Sequence, residues 1–147
     1  GSYIPPAPPP VSGAHRYWGV VKTNAAASGA YHTELEVYAG ATKVNVTYAM
    51  MYSQSGLGGV DWSKLIDGNN STAGFHTDTA PVGAFYRLDF GVGNEQLLTK
   101  WRWYVSGAVT AIWDVVYSDD GTTWTVAASG LDCSGGAGWK EAIWTNP

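Results

Sequence analysis

The stretch KLIDGNNSTAGFHT, residues 64–77, crowds oxygen-bearing side chains into one short segment. Calcium prefers such donors and takes about six to eight carboxylate, amide, hydroxyl or carbonyl oxygens at about 2.3–2.6 Å. Gly68 lets the backbone turn sharply enough to point successive oxygens inward. The same residue types also form plain turns, in which Asx side chains cap their own backbone. From the residues alone, a cation site and a polar turn are both open for Asp67, Asn69, Ser71 and Thr72.

An EF-hand loop is a third interpretation of this segment, and the sequence argues against it. Asp67, Asn69, Ser71 and Asp78 do fall at loop positions 1, 3, 5 and 12. Position 6, which requires glycine, is Thr72, and no amphipathic helices flank the loop. A cation bound here would need a site of another kind.

The sequence contains no group of residues whose types and spacing indicate a catalytic site. Cys133 has no base near it, and the three histidines lack metal-ligand spacing. Asp114, Asp119 and Asp120 lie in or beside a predicted hairpin turn, where Asp is an expected residue and not evidence of a glycosidase pair. We therefore expect a binding protein and not an enzyme.

Alternating apolar residues and regularly spaced glycine turns predict an all-β fold. Tyr86, Leu88 and Phe90 point to one face of a strand, and Trp101, Trp103 and Val105 point to one face of another. Asp120-Gly121 predicts a hairpin turn. The best helical segment is a short one at 60–67. These signals predict an antiparallel β-sandwich, or jelly roll, with strands at 16–23, 34–39, 43–50, 84–91, 98–105 and 138–145 and a hairpin at 111–128.

Bulk properties narrow the class of protein. A chain of 147 residues has the length of one domain, and it can bury a core without added cross-links. The formal net charge of −4, with scattered Lys and Arg, argues against nucleic acid as a partner. No apolar run approaches the ~18 residues of a membrane span, so we expect no membrane insertion. Cys133 is the single cysteine, so an internal disulfide is excluded.

The first 13 residues differ in composition from the rest. Gly1-Ser2 is typical of a cloning scar, and YIPPAPPPVSG (3–13) is rich in proline. Proline fixes φ and removes backbone donors, so this segment predicts an extended linker, with a folded domain at 14–147. A proline-rich ligand for partner domains is the alternative. A linker here predicts that the domain is part of a larger chain.

Four motifs resemble the discoidin, or coagulation-factor C-type, domains of the galactose-binding-like class. They are TELEVYAG (33–40), LIDGNNST (65–72), FYRLDFG (85–91) and WDVVYSDDGTTW (113–124). Family members usually end on the ELEV strand, whereas here it precedes the other three motifs. The chain therefore resembles a circularly permuted member, over residues 14–145, which close termini on a sandwich would permit. Similar permuted modules occur in bacterial surface and phage tail proteins.

The resemblance implies a structural calcium site. In this family the DG(D/N) loop and the Glu of the ELEV strand meet in space and hold the ion. Residue by residue, the matching positions are the carboxylates of Asp67 and Glu34, Asn69, Thr72, and the backbone carbonyls of Leu65 and Thr33.

Aromatic residues in predicted loops are the candidates for ligand contact, because sugar C–H faces stack on aromatic rings. Trp62 and Phe75 flank the loop as stacking platforms, and His76 can donate and accept hydrogen bonds. Tyr52 and Trp139 are further loop aromatics. Any of these rings can instead cover the edge of the core. The Arg and Asn with which galactose-binding members hold sugar are missing from the matching stretch, SGAVTA.

These observations predict a non-catalytic glycan-binding module with structural calcium. It would dock a larger parent protein onto cell-surface or polysaccharide glycans, outside the cell or on a virion tail. The alternative is a structural or interaction domain of a phage tail or surface assembly, without a sugar site.

Overall fold

A computed structural model describes residues 13–25, 31–53, 61–76, 81–107 and 110–145. The predicted linker, except Gly13, lies outside these ranges, as do Asp78 and the side chain of His76. Within them the chain forms ten β-strands and two short 3-10 helices. None of the helices in the described ranges is long and apolar enough to cross a membrane.

The strands are numbered in chain order. They are β1 (Tyr17–Lys22), β2 (Tyr31–Ala39), β3 (Thr42–Val44), β4 (Met51–Ser53), β5 (Phe75–His76), β6 (Phe85–Asp89), β7 (Lys100–Val105), β8 (Ile112–Ser118), β9 (Thr125–Asp132) and β10 (Gly138–Ile143). The 3-10 helices are η1 (Tyr48–Met50) and η2 (Trp62–Ile66).

These strands build two antiparallel sheets that pack face to face. The first sheet has the order β4-β6-β1-β8-β9. The second has the order β10-β7-β2-β3, and β5 pairs with the start of β2. The predicted all-β, antiparallel sandwich is confirmed.

Tryptophan side chains from both sheets fill the space between them. Trp18 and Trp113 come from the first sheet, Trp101 and Trp103 from the second, and all four are fully buried. The rings of Trp103 and Trp113 meet edge to face across the interface, with centroids 5.2 Å apart. Aromatic rings of this size dominate core energetics, so the contact of the two sheets rests on these side chains. The predicted inward faces of strands 84–91 and 98–105 are confirmed.

One predicted strand is wrong. Residues 43–50 do not form a continuous strand, because the chain leaves the second sheet after Val44 and joins the first sheet at Met51. The single turn of η1 makes this crossing. The short helix predicted at 60–67 is present as η2, whose first turn begins where the Asp61 side chain accepts a hydrogen bond from the backbone N–H of Ser63.

The predicted hairpin turn between β8 and β9 is confirmed. Gly121 has φ of 76°, a conformation that favours glycine. The side chain of Asp120 accepts hydrogen bonds from the backbone N–H groups of Thr122 and Thr123, at 2.8 and 2.7 Å. This turn therefore uses its acidic residue for structure.

His32 is a fully buried imidazole inside the aromatic core. Its ring stacks on Phe75 at 4.3 Å and meets Trp103 edge to face at 4.4 Å. Neither ring nitrogen has a hydrogen-bond partner among the described residues. Burial disfavours the charged form and lowers the pKa of His32 from 6.5 to about 3. The folded protein therefore holds this residue neutral.

We expect His32 to make the protein less stable in mild acid. Between about pH 6.5 and pH 3 the unfolded chain binds a proton at His32 that the folded protein does not bind. The free energy of unfolding should therefore fall as pH is lowered, by up to about 1.4 kcal/mol per pH unit from this residue. Denaturant titrations of the parent and of His32→Phe, at several pH values, isolate the contribution, because other groups titrate equally in both. Parallel curves for the two proteins would contradict the expectation.

Candidate functional site

A groove of about 650 Å³ opens on the outer face of the second sheet. Strand alternation explains its floor, because Leu35 and Val37 point into the core while Glu34 and Glu36 point out. A β-bulge between His32 and Glu34 shifts the register with β7 at this place. The lining comes from four segments: residues 34–36 of β2, residues 43–46 in and after β3, residues 66–68 and 70 at and after the end of η2, and Trp139 of β10.

Trp139 provides the aromatic side of the groove. It pairs with Tyr104 across β10 and β7, and the two rings meet edge to face at 5.6 Å. The guanidinium of Arg102 lies over the indole, 3.9 Å from its centroid. Arg102 therefore covers one face of the half-buried ring and fixes its position.

Glu36 is the centre of a polar network on the same sheet face. Its carboxylate accepts a hydrogen bond from the Tyr38 hydroxyl at 3.0 Å. Its oxygens lie 3.3 Å from Lys43 Nζ and 3.6 Å from Arg102 Nη1. One half-buried carboxylate thus engages both of the cationic side chains that border this part of the groove.

Glu34 and Asp67 form a second acidic feature at the other end of the groove. Both carboxylates accept a hydrogen bond from the backbone N–H of Asn69, at 3.0 and 2.9 Å. Within the described ranges neither carboxylate forms an ion pair with a basic side chain. The two negative groups are therefore held together without a protein cation to neutralise them.

A proton on one of the two carboxyl groups removes the repulsion between Glu34 and Asp67. Burial, the hydrogen bond to Asp67 and the charge of Asp67 raise the pKa of Glu34 to about 7. The hydrogen bond with Glu34, and then those from Thr72 and Asn69, hold the pKa of Asp67 below its usual value. The pair therefore carries one proton in mild acid, and a bound cation would have to displace it.

The loop after η2 also shows the self-capping contacts of a polar turn. The amide oxygen of Asn69 accepts a hydrogen bond from the backbone N–H of Ser71 at 2.9 Å. The Thr72 hydroxyl donates to the Asp67 carboxylate and lies 3.1 Å from the carbonyl of Asn69. Gly68 takes the expected left-handed conformation, with φ of 73°. Turn capping and cation binding are compatible here, since each carboxylate has further lone pairs.

Four of the residues predicted as calcium ligands are in mutual contact, because Asn69 donates its backbone N–H to Glu34 and Asp67 and the Thr72 hydroxyl donates to Asp67. Thr33 precedes Glu34 on β2, and η2, which holds the buried Leu65, packs against the same strand. Two adjacent carboxylates with a hydroxyl beside them suit calcium, a hard cation that takes oxygen donors. No group of three or more His, Cys, Asp or Glu side chains placed for a metal occurs in the described part of the chain. The remaining donors would be neutral oxygens and water.

Phe75 and Trp62, the two predicted stacking platforms, do not line the groove. Phe75 is wrong as a stacking platform, because it is fully buried between His32 and the core. Trp62 packs on Phe75 and Tyr86, with centroids 5.5 and 4.8 Å away, and covers the edge of the core. The side chain of His76 lies outside what the structure describes, so its predicted role is untested.

The groove contains residues that sequence reasoning missed or ranked low. Trp139 was grouped with the loop aromatics although it falls within the strand predicted at 138–145, and it lies on β10. Glu36, Lys43 and Asn45 were not recognised. Glu36 alternates with core residues in ELEV, and this pattern predicts that its side chain points outward. Its contacts with Lys43 and Arg102 depend on the pairing of β2 with β3 and with β7, which the sequence does not show.

No family model matches the chain, and no curated protein or solved structure is significantly similar to it. The resemblance to discoidin domains is therefore still a prediction.

We expect calcium to stabilise the protein through Glu34 and Asp67. A bound ion contributes RT ln(1 + [Ca]/Kd), about 2.7 kcal/mol at a hundredfold excess over Kd. Chelation should then lower the melting temperature by roughly 5–10 °C. Asp67→Ala should abolish this difference, whereas Glu141→Ala, which removes an exposed carboxylate elsewhere on the same sheet, should retain it. Equal melting temperatures of the parent with chelator and with millimolar calcium, after the purified protein has been stripped, would contradict the site.

Proposed function

We propose that the protein is a non-catalytic glycan-binding module and that the groove on the second sheet is its binding site. The observation that carries the proposal is the combination, in one groove of about 650 Å³, of a fixed tryptophan with carboxylate and amide side chains. This volume lies within the range of small-molecule sites, about 300–1,000 Å³.

The chemistry of the lining suits a sugar. The apolar C–H face of a pyranose stacks on an indole, and Trp139 is the aromatic side chain of the lining. Sugar hydroxyls both donate and accept hydrogen bonds, and the groove offers acceptors from Glu34 and Asp67 and amides from Asn45 and Asn70. A flat apolar surface beside convergent polar groups is what an uncharged, polyhydroxylated ligand requires.

The groove lies beside the calcium site that the resemblance to discoidin domains implies. Glu34 and Asp67 belong both to the groove lining and to the proposed calcium site. A metal-braced loop holds a shallow site in shape and so reduces the entropy cost of binding. In this proposal calcium is structural, and the module attaches a larger parent protein to extracellular or surface glycans.

Affinity for one glycan should be weak. One stacked ring and a few hydrogen bonds in competition with water yield about 4–6 kcal/mol, which corresponds to Kd values from about millimolar to tens of micromolar. A module of this kind works through repeated copies, whose linked binding raises the overall avidity.

A glycan array with calcium present, followed by titration of the selected oligosaccharides, tests the proposal. Trp139→Ala should weaken binding by about tenfold or more, because the stacking surface is lost. Tyr52→Ala is the matched control: Tyr52 is 49% exposed but lies on β4 of the other sheet. Its affinity should equal that of the parent.

The results separate this function from the alternative. Glycan binding that persists in Trp139→Ala would place the site outside the groove. If the folded parent binds no glycan, the structural or interaction domain becomes the better proposal.

A further inference from the structure

We infer that Glu36 determines the charge class of the sugar, so that the groove accepts uncharged sugars and rejects acidic ones. This inference rests on the proposed function and deepens it, because it concerns the same groove.

An acidic sugar needs a cation that is free to receive its carboxylate or sulfate. The cations at the groove are Lys43, which lines it, and Arg102, which lies over Trp139. Both are within ion-pair distance of Glu36, at 3.3 and 3.6 Å, and on opposite oxygens of its carboxylate. Glu36 thus occupies the place that the acidic group of a ligand would take.

The network is built to hold Glu36 in that place. Its side chain is 18% exposed, and that of Arg102 is 22% exposed. The Tyr38 hydroxyl donates to the same oxygen that faces Arg102. A partly buried carboxylate that accepts one hydrogen bond and pairs with two cations is expensive to displace, because the hydrogen bond and both ion pairs would be lost at once.

The opposite end of the groove adds no attraction for an anion. Asp67 and Glu34 are the charged side chains there, and both carry carboxyl groups. A calcium ion held by these two carboxylates would have its two charges balanced by them, and without the ion the carboxylates would repel the acidic group of a sugar. Among the described residues, the two side-chain cations at the groove are therefore already paired with Glu36.

Removal of the negative charge of Glu36 should change the preference of the groove. Glu36→Gln keeps the size of the side chain and an oxygen acceptor for Tyr38, but it releases Lys43 and Arg102. These two cations, with 60% of the Lys43 side chain exposed, would then form an anion-binding pair inside the groove. The variant should bind an acidic sugar that the parent rejects.

The experiment uses matched sugars that differ in one group. Methyl glycosides of glucose, galactose and mannose are titrated against the methyl glycosides of the corresponding uronic acids, with calcium held constant and tryptophan fluorescence or NMR shifts as the readout. The parent should bind at least one neutral sugar and bind its uronate more weakly. Glu36→Gln should tighten uronate binding by about tenfold, equivalent to about 1.4 kcal/mol.

Two further variants control for charge and for the cation. Glu141→Gln makes the same charge change on the same sheet, where Glu141 lies 3.8 Å from Lys100 outside the groove lining, and it should leave uronate binding unchanged. Adding Lys43→Gln to Glu36→Gln should reverse the gain. Melting temperatures of all variants verify that each is folded.

Each outcome decides the inference. Equal binding of a sugar and its uronate by the parent, or no gain in Glu36→Gln, would overturn it while the glycan-binding function stands. A gain of equal size in Glu141→Gln would reduce the effect to net charge and overturn it as well. If no neutral or acidic sugar binds any folded variant, the proposed function fails and the inference fails with it.

Discussion

The packing of tryptophans between the two sheets is the constraint on which the rest of the structure depends. Trp103 and Trp113 meet across the interface, and Trp18 and Trp101 extend the same layer. Side chains on a strand alternate between two faces, so the commitment of one face to this core decides what the other face presents. A slip of one residue in β2 would turn Glu34 and Glu36 towards the core and Leu35 away from it. The register that the core imposes on β2 therefore determines which side chains line the groove.

The contact between Glu34 and the loop after η2 couples the sheet to the second wall of the groove. A single backbone N–H, that of Asn69, binds carboxylates from β2 and from the loop. Holding two carboxylates together is unfavourable unless a proton or a cation lies between them. The loop is thus fixed by an arrangement that responds to protons and cations in its surroundings.

Much of the fold was predictable because its signals are local. Period-two alternation identified most strands and the inward faces of Tyr86 and Trp103, and Asp120-Gly121 identified a hairpin. The break after Val44 was not predictable, since β-branched residues continue through the point where the chain changes sheets. The contact between Glu34 and Asp67 was predicted from the resemblance to discoidin domains and not from the spacing of the residues.

The groove could not be predicted without the tertiary structure. Its lining combines four segments, and the ion pairs of Glu36 depend on which strands flank β2. Phe75 and Trp139 show how difficult it is to predict from the sequence whether a single aromatic side chain lines the groove. Phe75 lies outside the predicted strands and is fully buried, whereas Trp139 lies within the predicted strand 138–145 and borders the groove. The local sequence does not show which of the two rings enters the core.

The two sides of the groove differ in how firmly the fold holds them. Trp139 is on a six-residue strand that pairs along its whole length with β7. The opposite wall begins on β3, an edge strand of three residues held by three residue pairs to β2. Short edge strands open locally at a small fraction of the global free energy of unfolding. A ligand that bridges both walls must order the weaker one, and the conformational entropy lost there limits its affinity.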